Sequence, residues 1–232
     1  MYCRAVLSRG SPLTRNTIEQ SPIKRNYDNT GRRAGSDETR TRILEVAREL
    51  VTTRGYRATT IAELARSAGV HIDTVYELVG RKPAVLRELI ERAISGTDRA
   101  VAPAERGYVQ AMHDEPDPAR KLAIYAAAVR GIQQRMAPLL LALRDAATTE
   151  PEAKQVWEEI SARRARNMRD LVRELGPDGT LRAGVTVDEA ADAIWATAGA
   201  EMFILLTVER GWPLDEYERW LADSWRRLLL DP

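Results

Sequence analysis

Cysteine and histidine are nearly absent from this chain of 232 residues: there is one cysteine, Cys3, and there are two histidines, His71 and His113. A disulfide framework within the chain is excluded, and a Cys/His zinc site almost so. A Cys–His nucleophile pair would have to rest on a cysteine at the very start. No long apolar run is present either. The most apolar stretch, Ala193 to Val208, is interrupted by Glu201 and is too short for a membrane span. The opening MYCRAVLSRG holds no continuous apolar segment, so a signal peptide is not expected and a cytoplasmic protein is. Charge of one sign is lacking too. The net charge of +1 does not describe a polycation that coats nucleic acid. No stretch alternates polar and apolar residues between hairpin turns, which leaves an all-α protein.

What is present can fill a core: 44% of residues are hydrophobic and 30% charged. The charge is unevenly placed. Residues 1–36 carry seven basic and two acidic side chains, so the remainder sums to −4. With its Ser, Thr, Asn, Pro and Gly, this segment reads as a disordered basic arm, either a DNA-touching tail or an extension without function. Residues 37–96 form a first helical domain and residues 97–232 a larger second one.

About nine helices are expected. The first spans Glu38 to Arg54, with Ile43, Val46, Ala47, Leu50 and Val51 at helical spacing and Gly55 to stop it. Thr60 and Glu63 make a capping box for a second, which ends at Gly69. A third covers His71 to Val79. A fourth opens at Pro83. Arg106 to Pro118 reads as a loop around an exposed His113. The helix opening at Asp117-Pro118 is expected to break at Pro138, followed by a short apolar helix to Ala147. Thr149 with Glu152, and Thr186 with Glu189, are read as two further capping boxes. Gly176-Pro177 ends one of these helices and Gly211 the other. The last begins near Pro213.

The sharpest motif lies between Thr60 and Gly80. A helix-turn-helix needs a small residue inside its first helix, and Ala65 supplies it. Four residues later the turn needs a left-handed backbone, which Gly69 adopts without strain. Val70 anchors the turn, and Val75 inserts between the two helices. Ile61, Leu64 and Leu78 complete the small core. Asp73, Thr74, Tyr76 and Glu77 are then left facing largely outward, where a recognition helix meets base edges. Ile72 suits a thymine methyl and Asp73 a cytosine amino group. Thr74 and Tyr76 offer hydroxyls, while Arg42 and Lys82 are placed to clamp phosphates. Thr60 and His71, at the starts of the two helices, complete the candidate DNA-binding set. His71 can cap its helix, touch a phosphate or base, or simply be solvated. A metal role fails for lack of partners.

Arg42 to Ile94 resembles the DNA-binding domain of the TetR family of bacterial regulators. The likeness is carried by RILEVARELVTTRGY, TTIAELARSAGV, the triplet Thr74-Val75-Tyr76, and Lys82 followed by a leucine-rich helix. Gly179 to Leu228 resembles the second domain of actinobacterial members. The resemblance implies a homodimer with a small-molecule pocket in that domain. The chain departs from the family at His71, where a Ser-like cap is usual, at Asp73, where Gly or Ala is usual, and at Leu78-Val79, where an aromatic or His pair is usual. Leu78 cannot donate the phosphate hydrogen bond made there by many members.

For the pocket, Tyr125, Met136, Trp157, Met168, Trp195, Met202 and Phe203 lie on the apolar faces of four helices, and each also suits an ordinary core. Glu201 is a carboxylate in an apolar helix. It can meet a cationic or hydroxylated ligand, pair with an arginine, or lie at an edge. Ala198, Leu205, Trp220 and Trp225 are the candidates for a dimer seam. No catalytic constellation emerges: Asp145, Glu150, Glu158 and Glu159 read as exposed helical charges. No cofactor or metal is expected. The sequence reads as a ligand-responsive DNA-binding regulator, most simply a repressor that binds a near-palindromic operator. The alternative is a small-molecule-binding or scaffolding protein whose helix-turn-helix is structural only.

Overall fold

The structure is a computed structural model that describes residues 29–97, 101–175 and 180–231. Cys3, the Gly176-Pro177 stop and the first 28 residues of the expected arm lie outside the described residues. Ten α-helices run in order: α1 (Asn29–Ala58), α2 (Ile61–Ala68), α3 (Ile72–Leu78), α4 (Lys82–Ser95), α5 (Gly107–Asp114), α6 (Pro118–Ala147), α7 (Pro151–Arg173), α8 (Val187–Thr197), α9 (Ala200–Ile204) and α10 (Leu214–Leu229). Among the described residues the only extended pairing is an isolated bridge between Leu181 and Leu230.

Helix α6 is the axle. At 30 residues it spans about 45 Å. It packs against α1 and α4 on the N-terminal side and against α5, α7, α9 and α10 on the other. The expected break at Pro138 does not occur. Proline removes one backbone donor and crowds the carbonyl four residues back, at a cost of about 3 kcal/mol. Its own side chain is exposed, whereas Ala137, Leu139, Leu140 and Leu143 around it are buried. Burying each leucine contributes about 2 kcal/mol. Three of them outweigh one lost hydrogen bond.

Other boundaries shift for equally local reasons. Helix α1 starts at Asn29, so residues 29–36 are helical where a disordered arm was expected. Gly55 does interrupt it, with φ 82°. The expected loop at Arg106–Pro118 contains α5, whose Met112 is buried against α6. The Thr149 box does not form. Helix α7 begins with Pro151 in its first turn and Glu150 at the N-cap, without a side-chain capping bond. Proline there is already set at helical φ and lacks only a donor that would go unused. The Thr186 box is complete: its hydroxyl accepts from the Glu189 N–H at 3.2 Å, and the Glu189 carboxylate accepts from the Thr186 N–H at 2.9 Å.

The apolar run after Thr186 is not one helix. It breaks at Ala198-Gly199 into α8 and α9 plus a π-turn (Leu205–Glu209), with a bend of 43°. Among the described residues no single helix is long and apolar enough to cross a membrane.

Candidate nucleic-acid interface and ligand cavity

Helices α2 and α3 close over α1 through Leu64, Ala65, Ala68 and Val75, which pack with Ile43, Leu44 and Ala47. Gly69 sits at φ 65°, ψ 37°, the left-handed turn that the motif requires. Thr60 caps α2 by accepting the Glu63 N–H at 3.1 Å. The expected reciprocal bond is replaced, because Arg54 pairs with the Glu63 carboxylate. His71 caps α3: its Nδ1 accepts the Asp73 N–H at 3.4 Å while the ring stays exposed.

On α3, Asp73, Tyr76 and Glu77 are exposed. Tyr76 is 47% exposed, its ring open to solvent on the outer face of α3. Thr74 is half-buried, and Ile72 packs its flank on the core. Arg42 is exposed, with its Nε donating to the Ala68 carbonyl at 3.1 Å, which seats it beside the end of α2. Lys82 is not a free clamp. Its ammonium lies 4.0 Å from the Tyr56 ring centroid, donates to the Arg57 carbonyl at 3.4 Å and stands 3.9 Å from Glu150 at the N-cap of α7. Burial lowers its pKa, with Glu150 opposing. Burial, then Glu150 and Glu152, push the Tyr56 phenol up to about 12.

A second feature lies in the larger half. A cavity of about 330 Å³ opens between the end of α4, α5, α6 and α7. Three expected pocket residues line it: Tyr125, Met136 and Met168. The Tyr125 hydroxyl donates to Met168 Sδ at 3.4 Å, and burial raises its pKa. The other five do not line it. Trp157 packs half-buried on the core. Trp195 lies beneath the Arg164 guanidinium, 5.0 Å away. Glu201 is exposed and pairs with Arg144 at 2.5 Å. Phe203 is buried edge-on to Tyr217, and Met202 beside it is half-buried.

Two candidates for the dimer seam are corrected as well. Trp225 is fully buried in the chain's own core, stacked on Tyr125 at 5.6 Å and donating to Thr197 Oγ1 at 2.7 Å. Ala198 is also buried. Neither can meet a partner. Leu205 is 44% exposed, and Trp220 is half-buried against Trp212 and Tyr217. Val208 and Leu228 are further exposed apolar side chains.

Among the lining residues that the sequence reading passed over, Gln133 and Arg164 stand out. Both had a signal. Gln133 interrupts the α6 stripe between Val129 and Met136. Arg164 interrupts the α7 stripe, four residues from Ile160 and four from Met168. A polar residue on an apolar stripe is costly unless something meets it.

Residues 43–89 match the family model of bacterial regulatory proteins, tetR family. No curated protein gives a significant sequence match. Among solved structures, the chain is similar to NalD, the secondary repressor of the MexAB-OprM multidrug efflux pump in Pseudomonas aeruginosa. Identity is 22%, coverage is 85% of this chain and 98% of that one, and the TM-score is 0.65. A protein assigned as a transcriptional regulator from Saccharomonospora viridis, solved in complex with choline, shows 21% identity. Coverage is 84% of this chain and 99% of that one, with a TM-score of 0.61. The fatty acid degradation regulator FadR from Bacillus halodurans shows 18% identity, covers 81% of this chain and 94% of its own, and has a TM-score of 0.61. At these identities the likeness is one of fold.

Proposed function

We propose that this chain, with its tetR-family helix-turn-helix at residues 43–89, is a ligand-responsive transcriptional regulator of that family, acting as a homodimeric repressor in the cytoplasm and not as an enzyme. The observation that carries the reading is the exposed face of α3. Asp73, Tyr76 and Glu77 stand clear of a core that Val75 closes behind them. Residues 37–96 serve as the reading head and residues 97–232 as the effector and dimer domain. Two heads would enter successive major grooves about 34 Å apart on a near-palindromic operator. An apolar or amphipathic effector in the cavity would favour a form whose heads no longer match that spacing, to the extent that it binds the two forms differently.

Helix α7 supports the coupling. It lines the cavity through Ile160, Arg164 and Met168. It also reaches the reading head, where Glu159 meets Arg87 at 2.8 Å and its N-cap Glu150 stands 3.8 Å from Arg57. The dimer seam is drawn from Leu205, Val208, Trp220 and Leu228.

The test is a genomic-fragment pull-down eluted across a salt gradient, beside the Thr74→Ala/Tyr76→Ala variant. Fragments sharing an inverted repeat, retained at high salt by the wild type alone, support the reading. Weak, sequence-blind retention that the variant leaves unchanged makes the helix-turn-helix a packing unit only, and the protein a small-molecule-binding or scaffolding one. The balanced charge of residues 37–96, ten basic against nine acidic, is the feature that favours this second reading. A loss of melting stability in the variant as large as its loss of affinity would also remove the role given to Tyr76.

A further inference from the structure

The cavity walls are mostly apolar, but one end is not. Gln133 is only 2% exposed; its Nε2 donates to the Ala198 carbonyl at 2.6 Å, and its Oε1 has no partner. Arg164 donates through Nη2 to the Trp195 carbonyl. Trp195 lies in the last turn of α8 and Ala198 is its C-cap, so the two anchors bring Gln133 and Arg164 to the same end of the cavity. No carboxylate among the described residues lies within salt-bridge distance of Arg164. Glu201, which acts on it electrostatically, is already held by Arg144 at 2.5 Å.

A guanidinium carries five N–H donors in a planar fork suited to a carboxylate. Closing the end of α8 uses one of them. A half-buried cation that makes no ion pair is costly, and an unpaired buried acceptor adds to that cost. The cavity's rim has the same sign. Arg106 and Arg163 share the single carboxylate of Glu91, the former at 3.6 Å. Asp170 also lines the cavity but pairs with Arg173 at 3.1 Å, and Glu174 lines it with its side chain exposed.

We infer that the cavity binds an amphiphile with an anionic head: a carboxylate seated on Arg164, and beside it a hydroxyl or amide N–H donating to Gln133 Oε1. The tail lies along Met112, Val129, Ile132, Met136, Ile160 and Met168. Methionines on three sides let one cavity fit tails of different shape. This assignment rests on the regulator reading for its biological meaning, but not for its chemistry.

The test uses probes of equal tail and different head: decanoate, 3-hydroxydecanoate, decanol and decyltrimethylammonium, all kept below micellar concentration. Binding is read by calorimetry and by intrinsic tryptophan fluorescence, to which Trp195 beneath Arg164 contributes. Decanoate should bind about tenfold more tightly than decanol, as expected for one charge-assisted pair. The hydroxy acid should bind more tightly still, and the ammonium most weakly. Arg164→Met should erase the preference for decanoate over decanol. Gln133→Leu should erase only the gain from the hydroxyl. Should a variant fail to fold, the wild-type ranking decides by itself. Equal affinity for all heads, preference for the ammonium, or no binding of any probe overturns the assignment.

Release of a retained DNA fragment is followed in the same titration. Binding with the expected ranking but no release keeps the anion site and removes the effector reading. Release by decanol or the ammonium as readily as by decanoate keeps the effector reading and removes the anion site.

Discussion

Tyr56 shows how much one side chain can report. It is buried beside the start of α4, under the Lys82 ammonium and close enough to Glu150 and Glu152 to feel both. Burial and those carboxylates raise its pKa from 10.0 to about 12. Between these values the unfolded chain gives up the phenolic proton and the folded chain keeps it. The folded state then binds more protons, so stability must fall as pH rises. Below pH 10 the contribution of the neutral phenol is fully present, and by about pH 12 it is lost. Tyr56→Phe has no proton to lose. Its melting temperature should therefore decline less steeply than that of the wild type between pH 10 and 12, a comparison made by thermal melts at constant ionic strength. Parallel declines would show that the phenol is not what titrates there.

At the scale of the element, the most informative helix is α6, because it runs through a residue that should stop it. If burial of Leu139, Leu140 and Leu143 holds the helix together across Pro138, the proline is a defect tolerated by packing. Pro138→Ala would return a donor to the carbonyl of Gln134 and relieve the ring's pressure on that turn. Urea unfolding should show a gain of about 1–2 kcal/mol, the helix-interior penalty less the entropy that proline removes from the unfolded chain. A loss instead would mean that α6 depends on the local bend. The break between α8 and α9 makes the opposite point. There an apolar run without proline is interrupted, and the free Ala198 and Trp195 carbonyls are met by Gln133 and Arg164 from α6 and α7.

For the whole molecule, the question is which apolar faces fold the chain and which are left for the dimer proposed above. Trp225 belongs to the core of the chain itself, in contact with Tyr125 and Thr197. Trp225→Ala should cost about 3–5 kcal/mol of stability in the folded protomer by opening a cavity. The seam proposed above makes a different prediction. Leu205→Glu with Val208→Glu should convert a dimer into monomers in sedimentation velocity, with little change in helical circular dichroism, because both side chains are exposed. Dimers that survive both charges would move the interface to another face.

The helix-turn-helix was readable because its constraints are short-ranged. A small residue at Ala65, a left-handed Gly69 and a wedge at Val75 act within a few turns of chain, through sterics and hydrogen bonds that neighbours in sequence already impose. The capping box at Thr186 was readable for the same reason. The class of fold followed from helical periodicity alone. Tertiary packing settled what periodicity leaves equal. A stripe of apolar residues says that a face is buried but not against what, so Trp225 read as seam and proved to be core, and Phe203 read as pocket and packs on Tyr217. Gln133 and Arg164 stood in plain view as polar residues on apolar stripes. What joined them was the turn of α8 on which they converge, and that meeting requires residues 31 to 65 positions apart to be brought together by the packing of α6, α7 and α8.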